Sequence, residues 1–159
     1  MKIQNTREYF LTLYRKLDYL GALKGAKFTF TITRNKQAIK PMVKKVNELA
    51  TMSGSYKEFD VKRVEINNKY AEKDESGKAK MQDERFVILE DKKEDFEKEI
   101  EALKEEYKET IKEREEQKNQ VEAYLKEETE LELKPIPLSM IPDDINVDEM
   151  EIIEPLVEE

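Results

Sequence analysis

The stretch KYAEKDESGKAKMQDERFVI, residues 69–88, decides the fold predicted for this chain. Its segment DESG, residues 74–77, has the composition of a tight turn, because glycine accepts a positive φ and aspartate hydrogen-bonds the local backbone. The following RFVIL has the residue types of a short strand, whereas the helical stripe of apolar residues that precedes the turn ends at Tyr70. We therefore predict a small β-hairpin with a helix on either side.

The same acidic cluster resembles a calcium loop. If Gly77 takes the sixth position of an EF-hand, the ligand positions one, three, five and twelve fall on Glu72, Asp74, Ser76 and Asp83. An EF-hand requires aspartate at the first of these and glutamate at the last, and Lys78 and Lys80 add positive charge to the loop. The turn interpretation is therefore favoured, and no metal or cofactor is predicted.

Apolar residues at helical spacing continue on the N-terminal side of the turn. They are Val43, Val46, Ala50, Phe59, Ile66 and Tyr70, with Arg63 on the same stripe. The pattern is interrupted around Gly54, which predicts a break or kink at that point. Pro41 is expected in the first turn of a helix, where its missing N–H is tolerated.

The clearest helical pattern covers residues 92–127. Its stripe consists of Phe96, Ile100, Leu103, Tyr107, Ile111, Val121 and Leu125, with a polar middle at Thr110, Arg114 and Gln117. We predict a mainly α fold built on an antiparallel, coiled-coil-like helical hairpin over residues 34–128, with its turn at residues 73–90. In that hairpin the stripe from Phe96 to Tyr107 packs against Phe59, Ile66 and Tyr70.

Residues 1–33 are expected to hold a short helix and one further element. Asn5 or Thr6 can cap the helix, and Gly21 and Gly25 are expected to end it. The segment KFTFTIT, residues 27–33, alternates like a half-buried strand, with residues 130–138 (ELELKPIPL) as its candidate edge partner.

The C-terminal segment, residues 129–159, is acidic and interrupted by proline. It is predicted to be extended, since Pro135, Pro137 and Pro142 stop any helix. Asn146 with Glu149 has the spacing of a capping box and can open one short terminal helix, which would contain Met150 and Ile153.

Composition excludes several kinds of site. The chain has no cysteine and no histidine, so thiolate chemistry, imidazole bases and disulfides are excluded. Charged residues make up 42% of the sequence and the net charge is −8, which disfavours sequence-specific nucleic-acid binding. No apolar run approaches the length of a membrane span, and no glycine-rich phosphate loop is present. Aromatic residues beside basic ones are more typical of a core than of base stacking.

The charge is distributed unevenly along the chain. Residues 24–45 contain basic residues and no acidic one, whereas residues 129–159 contain one lysine among many carboxylates. This asymmetry predicts that the two ends meet, within one chain or between neighbouring copies. The candidate partner-contact residues are Arg34, Lys36, Lys40, Lys44, Lys45, Ile145, Met150, Ile153 and Leu156.

Four segments carry a resemblance to a known group of proteins. They are LKGAKFTFTITRNKQAI, YKEFDVKRVEINNKYAEKDESGK, RFVILEDKKEDFEKEIEALKEEYKE and IPLSMIPDDINVDEMEIIEPL. Together they resemble a group of small uncharacterised proteins of tailed bacteriophages and proviruses, over a region from about Leu20 to the end. The resemblance implies a viral origin and transfers no catalytic residues. It also implies a helix at residues 27–33, as an alternative to the strand.

The expected function is therefore non-enzymatic. We expect a phage virion structural or assembly protein that acts through protein contacts and self-association. Its expected partners are other virion proteins and further copies of the chain, with no membrane partner. The expected location is the host cytoplasm during infection, with incorporation into the virion as an open alternative. Two other functions are an inhibitor of a host nuclease or defence complex that uses its acidic surface, and a metal-dependent enzyme.

Overall fold

The computed structural model describes residues 1–20 and 25–158, and within them the chain is mainly helical, as predicted. It forms two compact units: a terminal unit of Met1–Ala50 with Asn119–Glu159, and a central unit of Thr51–Lys118. None of the helices in the described residues is long and apolar enough to cross a membrane.

In chain order the elements are β1 (Lys2–Thr6), α1 (Arg7–Tyr19), α2 (Ala26–Ala50), α3 (Gly54–Tyr70), β2 (Met81–Gln82), β3 (Arg85–Phe86), α4 (Lys93–Glu106), α5 (Lys108–Lys126), β4 (Glu128–Glu132), β5 (Ile136–Pro137), α6 (Val147–Ile153) and β6 (Val157–Glu158). Short 3-10 helices lie at Glu90–Lys92, Leu138–Met140 and Glu154–Leu156.

The terminal unit joins the two ends of the chain through a two-stranded sheet. Strands β1 and β4 run antiparallel, with Ile3 opposite Leu131. Beyond the last strand pair, the backbone N–H of Leu133 donates to the carbonyl of Met1 at 2.9 Å. The N-terminal ammonium group of Met1 donates in turn to the carbonyl of Leu133 at 2.8 Å. The first strand of the chain therefore pairs with the start of the C-terminal segment, which is a different contact from the predicted one between residues 24–45 and residues 129–159.

Helix α1 begins where the sequence predicts. The hydroxyl of Thr6 accepts the N–H of Tyr9, so Thr6 is the cap, while the side chain of Asn5 accepts the N–H of Thr6. The buried residues of this helix are Phe10, Leu13 and Leu17, which follow one another at helical spacing. Of the two glycines expected to end this helix, Gly21 lies outside the described residues. Gly25 precedes α2 instead, with φ of +126° and its carbonyl accepting the N–H of Thr29.

Residues 27–33 belong to α2, so the predicted strand is wrong and the helical alternative is correct. The alternation of Phe28, Phe30 and Ile32 fits a strand, but the core takes residues at a spacing of four. Phe28 and Ile32 are buried, whereas Phe30 lies on the opposite side and is 60% exposed. The same buried stripe continues through Asn35 and Ile39.

Two predictions that depended on this strand are corrected with it. Pro41 does not open a helix, because α2 already begins at Ala26 and Pro41 lies in its interior. There its ring has no N–H to donate to the preceding turn. Residues 130–138 do begin as a strand, but the partner of β4 is β1 at the N-terminus of the chain.

The C-terminal segment is folded into the terminal unit. The predicted capping box is present, with Asn146 accepting the N–H of Glu149 and Glu149 accepting the N–H of Asn146. Strand β5 pairs in parallel with β6, so the end of the chain returns to the link that follows β4. The fully buried residues of this segment are Leu133, Ile136, Ile153 and Leu156, which join the core formed by α1 and α2.

The central unit contains α3, the β2–β3 hairpin, α4 and the first part of α5. The break predicted around Gly54 is present, because α2 ends at Ala50 and Ser53 caps α3 by accepting the N–H of Tyr56. The helix predicted over residues 92–127 is also present. It is interrupted at Tyr107, where φ is −105° and ψ is 19°.

Candidate protein-contact surface

The side chains of α3 contact those of α4 and Tyr107 through two aromatic pairs. The rings of Phe59 and Tyr107 lie 5.7 Å apart between centroids, and those of Tyr70 and Phe96 lie 5.9 Å apart. Phe59, Tyr70 and Leu103 are the buried residues of these helices. Part of the predicted stripe therefore does pack as expected.

Charged residues flank these aromatic pairs. The Nζ of Lys69 lies 2.5 Å from Glu99, and the Nζ of Lys62 lies 3.2 Å from Glu106. Because Lys69 and Glu106 are exposed and their partners are half-exposed, each pair contributes little to the free energy of unfolding by itself. The two pairs lie at opposite ends of the contact between α3 and α4.

The side chain of Tyr107 contacts two charged residues of α3, Glu58 and Lys62. It donates to Glu58 at 2.8 Å, and the Nζ of Lys62 lies 4.8 Å from the centre of its ring. The hydrogen bond from Tyr107, followed by the contact with Lys62, lowers the pKa of Glu58 below its ordinary value. Contacts with Tyr107 and Glu106 raise the pKa of Lys62. Both groups therefore keep their charge near neutral pH.

One side of the α3–α4 pair is an open apolar groove. Its first part has a volume of about 670 Å³ and is lined by Phe59, Glu101, Lys104, Glu105, Lys108 and Ile111. Its second part, of about 300 Å³, continues along α3 and α4 past Arg63, Asn67, Phe96, Ile100 and Leu103. Phe59 and Lys104 line both parts. Three stripe residues that border this groove, Phe96, Ile100 and Ile111, are only half-buried.

The DESG turn is a local structure, as predicted. The carboxylate of Asp74 accepts the N–H groups of Ser76 and Lys78 at 2.8 and 3.0 Å, and also the hydroxyl of Ser76. These hydrogen bonds lower the pKa of Asp74, with the Ser76 hydroxyl contributing most. Gly77 has φ of +79°, and its N–H donates to the carbonyl of Asp74 at 2.9 Å. The polar atoms of the turn are therefore used by the turn itself.

The calcium-loop alternative depended on side chains of this turn. Over residues 1–20 and 25–158, no three Asp, Glu, His or Cys side chains are grouped so as to hold a metal ion. Glu72 pairs with Lys80 at 3.1 Å, and Asp83 belongs to the separate β2–β3 turn. The four ligand positions of the loop are thus distributed over two turns.

The predicted basic contact residues lie along α2. Arg34, Lys40, Lys44 and Lys45 are exposed, whereas Lys36 is partly covered and pairs with Asp18 of α1. Lys44 lies 3.7 Å from Glu48 in the same helix. In the described residues none of these cations pairs with a carboxylate of residues 129–158. The two segments meet instead through the apolar core and through hydrogen bonds between Asn35 and Lys134.

The predicted contact residues of the C-terminal segment divide into two groups. Ile153 and Leu156 are fully buried in the core of the terminal unit, where they have no surface to offer a partner. Ile145 packs partly against that core. Met150 is partly exposed and Val147, three residues before it, is 74% exposed, so α6 exposes one of the candidate residues together with one that was not among them.

Asn35 is a residue that sequence reasoning missed. It is fully buried, its Nδ2 donates to the carbonyl of Lys134 at 2.9 Å, and its Oδ1 accepts the N–H of Lys134 at 2.6 Å. One amide side chain thereby satisfies both backbone groups of a residue 99 positions away. Its place on the stripe of Phe28, Ile32 and Ile39 is the available signal, but it becomes visible only once residues 27–33 are assigned to a helix.

Comparison with known proteins gives no relative for this chain. No protein-family model matches the sequence, and neither the curated proteins nor the solved structures contain a significant match.

Proposed function

We propose that this chain is a non-enzymatic protein that works through contacts with other proteins and with copies of itself. The observation that supports this function is the open groove of the central unit, which is lined by the buried Phe59 and the half-buried Ile100 and Ile111 between charged side chains. Contiguous apolar surface with a polar rim is typical of protein-interaction sites.

A finer description of the central unit belongs to the same proposal. We take α3 and α4 as the two arms of an antiparallel, coiled-coil-like hairpin closed by the β2–β3 turn. The aromatic pairs support this arrangement, because Phe59 meets Tyr107 near one end and Tyr70 meets Phe96 near the other. A hairpin of only two helices covers one side of each stripe and leaves the other side for a partner.

The biological setting that we propose is the assembly of a tailed-phage particle in the host cytoplasm. It depends on the resemblance of the sequence to small phage and provirus proteins, together with the groove. A structural part of a particle is present in many copies and binds its neighbours through such surfaces. The chain would then act during assembly and either remain in the particle or leave it.

The experiment is to tag the chain in infected cells, to separate particles from free protein by sedimentation, and to identify what co-purifies. We expect the chain in the particle fraction or bound to assembly intermediates, in a fixed ratio to other virion proteins. Recovery of the chain only as free protein, at every stage of infection, would overturn this function.

The alternative function is inhibition of a host nuclease or defence complex by mimicry of a phosphate backbone. It is favoured by one observation: among residues 129–158, several exposed carboxylates form no ion pair, namely Asp143, Asp144, Asp148, Glu151 and Glu154. In the same tagging experiment, this function predicts a host protein as the main partner. The complex should then dissociate as salt is added.

A further inference from the structure

Four charged side chains in the groove alternate along the chain between acid and base. From α4 into α5 they are Glu101, Lys104, Glu105 and Lys108, and all four line the same depression. Read in the reverse direction, acid becomes base at every position. A second copy laid antiparallel, with a twofold axis between Lys104 and Glu105, therefore places every carboxylate opposite an ammonium group.

We propose that this face of α4 and α5 is the interface of a twofold-symmetric dimer of the chain. In that dimer, Glu101 of each copy lies opposite Lys108 of the other, and Lys104 lies opposite Glu105. The proposal rests on the function given above, of which self-association is a part. The groove is then occupied by the same helix face of a second copy.

Apolar contact accompanies the charge pairs. Phe59 from α3 and Ile111 from α5 line the same depression as the four charged residues. The methylene groups of Lys104 and Lys108 can cover these apolar side chains while their ammonium groups reach the opposing carboxylates. The apolar contact provides affinity, and the charge order selects the antiparallel direction and the register.

The charge pattern also discriminates against other arrangements. A parallel copy in register would place each charge opposite its like. Glu101 and Lys104 form no ion pair among the described residues, so they are available to a partner, whereas Glu105 lies 3.2 Å from Lys108 within the chain. A partner that carries only one sign of charge would be repelled by half of these groups. A second copy pairs with all of them.

The test is a charge exchange between two variants. The double substitution E101K/E105K makes the face uniformly basic, and K104E/K108E makes it uniformly acidic. Each variant alone should dimerise at least about tenfold more weakly than the natural chain, as measured by sedimentation velocity over a range of concentrations. An equimolar mixture should recover a one-to-one heterodimer. All four side chains are exposed, so circular dichroism should show both variants folded.

The matched control is E75K/E84K. It makes the same change in net charge as E101K/E105K, but at the exposed turns of the central unit, away from the groove. The control should dimerise like the natural chain. Equal weakening by the control would show a general effect of charge and would overturn the proposed interface.

A cross-link provides a second measurement that does not depend on those variants. The chain has no cysteine, so E105C introduces a single thiol beside the proposed axis. Oxidation should give a disulfide-linked dimer of E105C in high yield, whereas E75C should remain largely monomeric. Equal yields from the two variants, or failure of the two charge variants to pair, would overturn the proposal.

Failure here is distinguishable from failure of the proposed function. If the natural chain is a monomer at every concentration and is still recovered with particles, the dimer is wrong and the assembly function stands. If the chain dimerises through this face but is never recovered with a particle or an assembly intermediate, the assembly function is wrong and the dimer stands.

Discussion

Asn35 shows how a single side chain connects distant parts of the sequence. Its amide forms two hydrogen bonds with the backbone of Lys134 and is completely buried. In N35A both groups of that backbone would lose their partner, and unsatisfied buried polar groups are costly. We expect N35A to lower the free energy of unfolding by about 2 to 4 kcal/mol, measured by urea denaturation.

The matched control for N35A is Q37A. Gln37 is an amide residue of the same helix, and it is exposed. Its replacement by alanine should change the free energy of unfolding by less than about 0.5 kcal/mol. A similar loss in both variants would show that the hydrogen bonds to Lys134 are not the cause, since alanine is the better helix former at both positions.

The turn of the β2–β3 hairpin holds two non-glycine residues in an unfavourable conformation. Asp83 and Glu84 have φ of 48° and 62°, as a two-residue turn between antiparallel strands requires. Glycine adopts this conformation without the steric cost of a Cβ. We therefore expect E84G to raise the free energy of unfolding by about 0.5 to 1 kcal/mol, measured by urea denaturation.

A glycine in the neighbouring turn provides the control for E84G. Glu75 is as exposed as Glu84, but its φ is not positive. There glycine adds only freedom to the unfolded chain, so E75G should be neutral or destabilising. Stabilisation by both substitutions would show that the backbone conformation of Glu84 is not the cause.

At the level of elements, the contact between α3 and α4 should depend on pH. The pKa of Glu99 is lowered mainly by its hydrogen bond with Lys69, and that of Glu58 by its bond with Tyr107. A carboxyl group whose pKa is lower in the folded state contributes stability above its unfolded pKa and loses it as pH falls. The melting temperature should therefore fall as pH drops below the ordinary value of 4.5 for these groups.

The variant E99Q tests that explanation. It removes the titrating group, so the decrease in melting temperature on acidification should be smaller than in the natural chain. E97Q is the matched control, because Glu97 lies on the same helix and is exposed. Equal pH profiles for E99Q and the natural chain would show that the pair with Lys69 does not carry the effect.

Elements whose signals are local were predictable from the sequence. The capping box of Asn146 and Glu149, the DESG turn and the break around Gly54 each depend on residues a few positions apart. The segment 27–33 was misread because its alternation fits a strand equally well over so short a window. Packing against the core selects the helical spacing, because Phe28 and Ile32 are buried there and Phe30 is exposed.

At the level of the whole molecule, long-range pairings limited the prediction. The pairing of β1 with β4 joins residues more than 120 positions apart, and no local pattern specifies it. The acidic composition of residues 129–158 also conceals their role in packing, because four of their apolar residues, Leu133, Ile136, Ile153 and Leu156, are buried in the core. The groove was also not predicted as such, since the stripe residues were all assigned to internal packing.

The C-terminal segment therefore serves the molecule as part of its core, and truncating its side chains tests that role. L156A would remove a fully buried side chain from the terminal unit and should lower the free energy of unfolding by about 2 to 5 kcal/mol. M150A truncates a partly exposed residue of the same segment and should cost less than about 1 kcal/mol. Urea denaturation measures both. Near-equal losses in the free energy of unfolding for L156A and M150A would contradict the place of Leu156 in the core. A loss of the dimer without a loss of stability in L156A would identify Leu156 as a partner contact instead.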